Sequence, residues 1–420
     1  MKINISLNYS VEVEECNIDY LIAVFKRLLV YLLTDFIKAA LLQFAEETMK
    51  EKMKKKPFNC EKCGNDTNFI WKTKNAKDMK LTTILADVIL PQMQIECKVC
   101  GKKMFITRQL LGVGKYQKTS TITQKMLALL GSLTTFRVSE KIADMFGVQF
   151  NRMTVWRCVQ KVGKTISFDL DPDELPSGQA DGTGIPIKGI KKRGRELKVF
   201  IQKKIGGGVR IAGLAIGKYD SGWDELFAPL RETIMSFKHF LLITDGDTSI
   251  FKGIKCVNVL FQRCLWHIPH QLKHCLWEDK VKRKSLDWLI ILAKIFNIVA
   301  YRSGLEECEI EAVLEEKDKA MEELISFCDK REYTSCATYL RNAEPDMFTA
   351  LKKRLDGKAS SLVERVMRTV NMRINVGKWT PSGALNAMNV RLAHYYNDWT
   401  PGEPKVKGVG IVRLYGKKTL

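Results

Sequence analysis

The spacing of apolar residues changes character several times along this chain. Up to about residue 56 it is helical, and Leu21 to Leu42 carries Lys26, Arg27, Asp35 and Lys38 among its apolar positions, which predicts an amphipathic helix and not a membrane span. A charged run, Glu46 to Lys56, follows, rich in helix-forming Glu, Lys and Met. From about Thr119 to Ile166 the period is helical again, and Pro172, Pro176 and Gly178 then punctuate the chain as a linker. After Gln179 the pattern turns to strands. LKVFIQKKI and VRIAGLAIG flank Gly206-Gly207-Gly208 and predict a hairpin. DELFAPLRETIMSF predicts a helix, HFLLIT a short buried strand and VNVLF (Val257 to Phe261) another. From about Pro269 to Leu355 the pattern is almost entirely helical, and one more helix follows, carrying Glu364.

Three acids hold distinctive places in this pattern. Asp181, in QADGTGIPI, opens the strand region and is followed by Gly182, Thr183 and Gly184, small residues that let a phosphate or metal approach the backbone. Asp245 ends the apolar run Leu241-Leu242-Ile243-Thr244; Asp247, two residues on, is its rival for the same role. Glu364 shares a polar helix face with Arg368, Asn371 and Asn375, opposite a stripe of Val363, Val366, Met367, Val370 and Ile374, and Ser360 or Ser361 is placed to cap that helix. Taken singly, an aspartate before glycine is ordinarily a turn residue, and a glutamate on a polar face is ordinarily solvated. Together they lie in the order strand, strand, helix. Carboxylates gathered without a cation repel one another, and phosphodiester cleavage calls for hard oxygen ligands around two divalent ions about 3.5–4 Å apart. The element order, three antiparallel strands, helix, strand, strand, helix, is that of a ribonuclease H-like core: a mixed sheet with helices, here with an all-helical insertion before its last helix.

Composition sharpens the picture. The chain has 420 residues, enough for two to four domains. Lys and Arg number 68 against 47 Asp and Glu, a formal net charge of +21, which points to a polyanionic partner, to a ribosome-like or membrane-surface protein, or to a merely basic soluble enzyme; with the three acids the partner expected is double-stranded DNA. Twelve cysteines without a visible secretory leader fit a reducing cytoplasm. Four of them form matched knuckles, Cys60-Glu-Lys-Cys63-Gly64 and Cys97-Lys-Val-Cys100-Gly101, which predict a structural zinc ribbon whose strands come from LTTILADVILPQMQIE and KKMFITRQL. Val138 to Gly147, capped by Ser139 and burying Ile142, Ala143 and Phe146, then Arg152 to Lys161, with Met153, Trp156 and Val159 or Gln160 on one face, read as a helix-turn-helix. Its candidate DNA contacts are Arg152, Thr154, Arg157 and Lys161; any helical hairpin gives a similar pattern. A basic run beside Asp181, with Lys188, Lys191, Lys192, Arg193, Arg195, Lys198, Lys203 and Lys204, is by default a solvated hairpin, but next to a metal site it is placed to hold flanking phosphates. Trp379 in GKWTPSG offers one more candidate contact.

On these residues the chain resembles the transposases of the Mutator-like superfamily, including prokaryotic insertion-sequence members with a D-D-E site, over roughly residues 120–400. The most specific part beyond the acids is Cys264-Leu265-Trp266-His267, a C-x-x-H element after the strand that follows the second aspartate, with a helical insertion before the glutamate. The resemblance implies Asp181, Asp245 and Glu364 as catalytic triad and ligands of two Mg2+ or Mn2+ ions, with His267 beside the site, ordering it or contacting the scissile phosphate. Read from the residues alone, Cys264 and His267 make half a zinc site at most; His270 and His274 follow, and a packed cysteine with a hydrogen-bonded histidine is the plain alternative.

The expected organisation is therefore multidomain, α+β with α: an N-terminal helical segment (1–56), a zinc ribbon (57–118), a helix-turn-helix-like DNA-binding region (119–170), the first part of the core (179–268), the helical insertion (269–355), the last core helix with Glu364 (356–400) and a basic tail (401–420). The expected activity is that of a cytoplasmic DNA transposase. It cleaves transposon ends and joins the freed 3′-hydroxyl to target DNA, working as a homo-oligomer on DNA and without a membrane. A sequence-specific DNA-binding protein with an inactive core, and a nuclease without strand transfer, are the alternatives.

Overall fold

The computed structural model describes residues 17–50, 56–145, 148–190, 195–219, 221–302, 304–355 and 361–402, with a few isolated positions before residue 17. It is a mixed α/β structure in two compact units, one built on the chain up to Val159 and the other on Gln160–Trp399.

The first unit opens with one long helix, α1 (Ile18–Lys50). By length and composition alone α1 would suffice to cross a membrane. Its C-terminal part packs on the strands that follow: Leu41 and Ala45 join Phe58, Phe69, Met93, Ile95 and Met104 in one small core, and Leu33 and Ile37 pack on another. Five short strands follow: β1 (Phe69–Thr73), β2 (Asp78–Thr82), β3 (Asp87–Pro91), β4 (Gln94–Cys97) and β5 (Lys103–Phe105). β1, β4 and β5 form an antiparallel sheet beside the cysteines, and β2 and β3 form a separate hairpin. After the short helix α2 (Thr107–Leu110) come α3 (Thr121–Leu133), α4 (Phe136–Met145) and α5 (Arg152–Gly163), and the division between the units falls within α5. Ser120 caps α3 by accepting from the backbone N–H of Thr123.

Two expectations for this region are corrected. Ser139 does not cap α4. The helix begins earlier, Thr135 Oγ1 accepts from the N–H of Val138, and Ser139 is buried and donates to the Thr135 carbonyl. Met153 and Trp156 are 48% and 38% exposed, and the buried face of α5 is Val155, Cys158, Val159 and Val162. The reason lies at Gly131 in α3, where an added Cβ would stand 2.8 Å from both Val155 and Val159, so the missing side chain sets which stripe of α5 docks there. Phe146 and Gly147, and the run 51–55, lie outside the described residues.

The second unit is built on a five-stranded mixed sheet from β6 (Ser177–Ile185), β7 (Arg195–Lys203), β8 (Val209–Gly217), β9 (Phe240–Thr244) and β10 (Val259–Arg263), in the order β10-β9-β6-β7-β8. β6, β7 and β8 pair antiparallel, whereas β9 runs parallel to both β6 and β10. α6 (Trp223–Phe227) and α7 (Arg231–Ser236) are separated by a 3-10 turn at Ala228–Leu230, so the single helix expected over DELFAPLRETIMSF is broken where Pro229 withholds an N–H. α8 (Thr248–Ile254), between β9 and β10, was not foreseen; seven residues are too few to show a helical period. Side chains from α6, α7 and α8 meet Ala180, Phe200, Ala212, Phe240 and Leu242 in the core on one sheet face.

Between β10 and the helix of Glu364 lie α9 (His267–Glu278), α10 (Leu286–Val299), α11 (Glu307–Lys330), α12 (Thr334–Met347) and α13 (Thr349–Lys352). They enclose a core of their own, including Leu272, Ile291, Ile295, Leu324 and Leu340. Ser285 caps α10, and Glu306 with Glu309 forms a capping box on α11. Gln262 and Arg263 at the end of β10 bind this helical group. The N–H of Ala350 donates to Gln262 Oε1 at 2.9 Å, and Arg263 Nε donates to Asp346 Oδ1 at 2.9 Å. The chain ends its described part with α14 (Ser361–Ile374) and α15 (Pro381–Tyr396). α15, started by Thr380 and Pro381, packs on β8 and was not separated from the Glu364 helix in the sequence pattern. The tail from residue 403, and Ser360 as a cap of α14, lie outside the described residues.

Candidate functional site

The parallel strands bring the two aspartates into electrostatic reach of each other. β6 pairs with β9 up to Gln179 opposite Ile243, two residues short of each aspartate, and the charge of Asp245 reaches Asp181. Asp181 is the fifth residue of β6, because the strand begins at Ser177 inside the expected linker. Its neighbour Ala180 faces the α6–α8 core, so alternation turns Asp181 to the opposite face. α14 covers that face: the N–H of Val363 donates to Gln179 Oε1 at 2.9 Å, and Thr183 Oγ1 bonds Asn371 Oδ1 at 3.2 Å. Val363, Val366, Met367, Val370 and Ile374 are all buried, which holds Glu364 over the strands.

Glu364 meets His267, with Oε1 3.0 Å from His267 Nε2. The histidine opens α9 directly after the C-x-x-H loop, whose Cys264 is buried and donates its backbone N–H to the Thr244 carbonyl at 2.7 Å. Burial alone would lower the His267 pKa, but the Cys264 sulfur and the carboxylates of Glu364 and Asp181 favour the imidazolium and raise it to about 9. Asp181 moves the other way. Burial, reinforced by the charges of Asp245 and Glu364, pushes it up to about 7, against a 2.7 Å bond from the Gly182 N–H and the pull of His267. Asp181, Asp245, Glu364 and His267 therefore occupy one electrostatic neighbourhood.

The loop after β9 separates Asp245 from Asp247. Both oxygens of Asp247 are engaged at the start of α8, accepting from the N–H and the hydroxyl of Ser249 at 2.8 Å each. Asp245 is exposed, and its Oδ1 accepts from the Asp247 N–H at 3.0 Å. Gly246 between them has φ +98°, and a Cβ there would come within 2.3 Å of the Arg263 guanidinium. A cavity of about 790 Å³ opens beside Asp245, with Arg263, His267, His270 and Tyr339 in its wall. Arg263 was missed in the sequence; its signal is a cation ending the strand that begins with the apolar run Val259–Phe261.

The basic run resolves unevenly. Lys191, Lys192 and Arg193 lie outside the described residues, and Arg195 is half-buried at the start of β7, opposite Ile185. Lys198 is not a solvated cation. It is fully buried, paired with Glu196 and 4.5 Å from the centre of the Trp223 ring. Glycine makes room for this pair: a Cβ at Gly182 would strike the Glu196 carboxylate. Trp379 is also buried, donating its indole N–H to the Ile374 carbonyl at 2.8 Å, so it anchors the end of α14 and offers no free ring. On α5, Arg152, Arg157 and Lys161 are exposed and Thr154 is half-buried.

The cysteines form a second centre. Sγ of Cys60, Cys63, Cys97 and Cys100 lie within 4.8 Å of one another, a set able to hold a metal such as zinc. Each knuckle closes in the same way: the N–H of Gly64 donates to Cys60 O and that of Gly101 to Cys97 O, both at 2.9 Å, with φ +70° and +68° at the two glycines. Burial opposes the Cys97 thiolate, but the N–H groups of Cys100 and Val99 at its sulfur bring its pKa down to about 6. Among the described residues this is the one group of three or more such ligands gathered so closely. Asp181, Asp245 and Glu364 are more loosely disposed, and Cys264 with His267, His270 and His274 does not converge. His270 instead bonds the Trp266 carbonyl through Nδ1 at 2.8 Å and stacks on the Trp266 ring. No protein-family model matches this chain, and no curated protein matches it.

Proposed function

We propose that the second unit is a ribonuclease H-like core and that the protein is a D-D-E transposase of the Mutator-like type. The observation that carries this reading is that the charges of Asp245 and Glu364 both act on Asp181, on a strand parallel to β9 and covered by the helix of Glu364. The acids fit divalent cations: they are hard oxygen donors, and Asp181 is destabilised as a carboxylate by its two acidic neighbours, a conflict that a cation relieves. Asp181, Asp245 and Glu364 would hold Mg2+ or Mn2+, which when bound supplies charge stabilisation to the attacking and leaving oxygens. Zinc in the four-cysteine set is structural in this reading.

The residues divide the remaining work. Asp181 is fixed by the sheet, Asp245 directly follows β9, and Glu364 is presented from α14 with its orientation held by His267. The imidazolium of His267 also brings a positive charge beside the acids. Hydrolysis at a transposon end breaks one P–O3′ bond and leaves a 3′-hydroxyl and a 5′-phosphate. Strand transfer then exchanges one phosphodiester for another: the 3′-hydroxyl attacks a target phosphorus and a target 3′-oxygen leaves, so no external energy source is required.

The test compares wild type with Asp181→Asn, Asp245→Asn and Glu364→Gln on duplex DNA carrying the sequences that flank the gene. With magnesium or manganese, each variant should lose cleavage and joining by roughly three orders of magnitude or more, while duplex binding persists. Retention of both reactions by all three variants would overturn the assignment. Tight binding without cutting by the wild type, under either metal, would leave a DNA-binding protein with an inactive core.

A further inference from the structure

The four-cysteine module carries a groove that the active-site reading does not use. It has a volume of about 1090 Å³ and runs between the β2–β3 hairpin, the edge strand β5 and the turn at Tyr116. Its floor includes Met79, Met104 and Val113, all buried. Its walls carry seven basic side chains against two acidic ones, Glu61 and Asp78, so the field inside is positive. Lys80 is paired with Asp87, and Arg108 donates to the carbonyls of Gly114 and Gln117. Lys77, Lys102, Lys103, Lys115 and Lys118 are exposed, and among the described residues none has a carboxylate within 4 Å.

Aromatic rings stand among these lysines. Phe105 is 37% exposed at the edge of β5, with Lys77 Nζ 4.9 Å from its centre. Tyr116 is 82% exposed, in a turn closed by the Gln117 N–H on the Gly114 carbonyl at 3.1 Å, and its φ is +65°. A bulky residue in the left-handed region is unfavourable where glycine would be at ease. Neither the turn nor the core gains from that ring, which projects into solvent beside Lys115. Strain of this kind, accepted for an exposed aromatic at the rim of a cationic groove, points to contact with a ligand.

We infer that this groove is a DNA-binding surface of the four-cysteine module. The lysines engage phosphates on both sides, and Tyr116 and Phe105 pack against the sugars and bases between them. The choice of DNA as polyanion rests on the proposed function; the groove itself rests on the charges and rings. The surface is separate from the exposed cations of α5, so it adds an independent point of attachment.

The test uses the zinc-loaded full chain and measures duplex binding by fluorescence anisotropy over a range of salt concentrations. Lys102→Ala/Lys103→Ala/Lys118→Ala should weaken binding at least tenfold and reduce the slope of log K against log salt by about 0.9 for every phosphate no longer neutralised, roughly 2.7 in all. A matched triple, Lys319→Ala/Lys330→Ala/Lys352→Ala, on α11 and α13, should leave both unchanged. Tyr116→Gly relieves the backbone strain, so its melting temperature should hold or rise while its affinity for DNA falls, a combination that a purely structural tyrosine would not give. Unchanged affinity and slope in the groove variants would overturn the inference, as would equal or tighter binding of single-stranded RNA or polyglutamate by the wild type. The two proposals fail separately. Groove variants that bind and cut like wild type sink only the groove, and Asp181→Asn, Asp245→Asn and Glu364→Gln proteins that still cut, with groove-dependent binding intact, sink only the active site.

Discussion

Asp245 and Asp247 look interchangeable in the sequence, and their surroundings give them different work. Both border the same cavity, but Asp247 spends both oxygens on the first turn of α8, while Asp245 is exposed and its charge acts on Asp181. Asp247→Ala should therefore cost about 1 kcal/mol of stability, the usual loss of an N-cap, and retain most of any metal-dependent cleavage. Denaturant unfolding and the cleavage assay, run together, check this; a dead but stable Asp247→Ala protein would move the second ligand by two residues. Gly246→Ala should do worse on both counts, because the new methyl group meets a positive φ and the Arg263 guanidinium at once. At this scale the sequence was partly legible. An aspartate ending a buried apolar run announces itself, and so do matched cysteine knuckles. Lys198 did not. It was grouped with its basic neighbours, whereas the glycines facing it across β6 are what make a buried Glu196–Lys198 pair possible, and that pairing exists only once the register is known.

Asp279 links two elements of the helical group. It follows α9 and accepts from the N–H groups of Ser335 and Cys336 at the start of α12, each at 2.9 Å. Partial burial works against its charge, but those two donors prevail and its pKa lies below the usual carboxylate value. A depressed folded pKa contributes stability that is present above the unfolded value, near 3.9, and is lost as pH falls through the folded value. Asp279→Ala should lose about 1–2 kcal/mol at pH 7 and much less at pH 3, read from denaturant midpoints with hydrogen exchange localising the loss to α9 and α12. An equal loss at both pH values would show that the carboxylate charge is not what matters. Element existence was readable wherever a period had room to repeat, as in α11 or the β7–β8 hairpin. It was unreadable in α8, which is too short, and on α5, where the docking face was decided by Gly131 on another helix.

On the scale of the molecule, the two compact units should respond differently to loss of metal. The strands around the cysteines are short and their cores small, so a strong chelator should abolish amide protection across residues 57–118 and leave the Gln160–Trp399 sheet protected. Hydrogen exchange with mass spectrometry reads this directly, and uniform loss of protection through both units would contradict it. The order of strands and helices foretold the mixed sheet and its helical insert, because local pattern fixes which elements exist. It left open how the third acid reaches the other two, which depends on contacts of α14 with β6 at Gln179 and Thr183. That insert also sets a clock. The ribosome releases Asp181 and Asp245 first, and Glu364 emerges only after six further helices, α8 to α13, have been made. On the proposed reading, a chain made only as far as the insert has two of its acids in reach and no chemistry, so the nascent enzyme is harmless to the DNA around it until α14 exists.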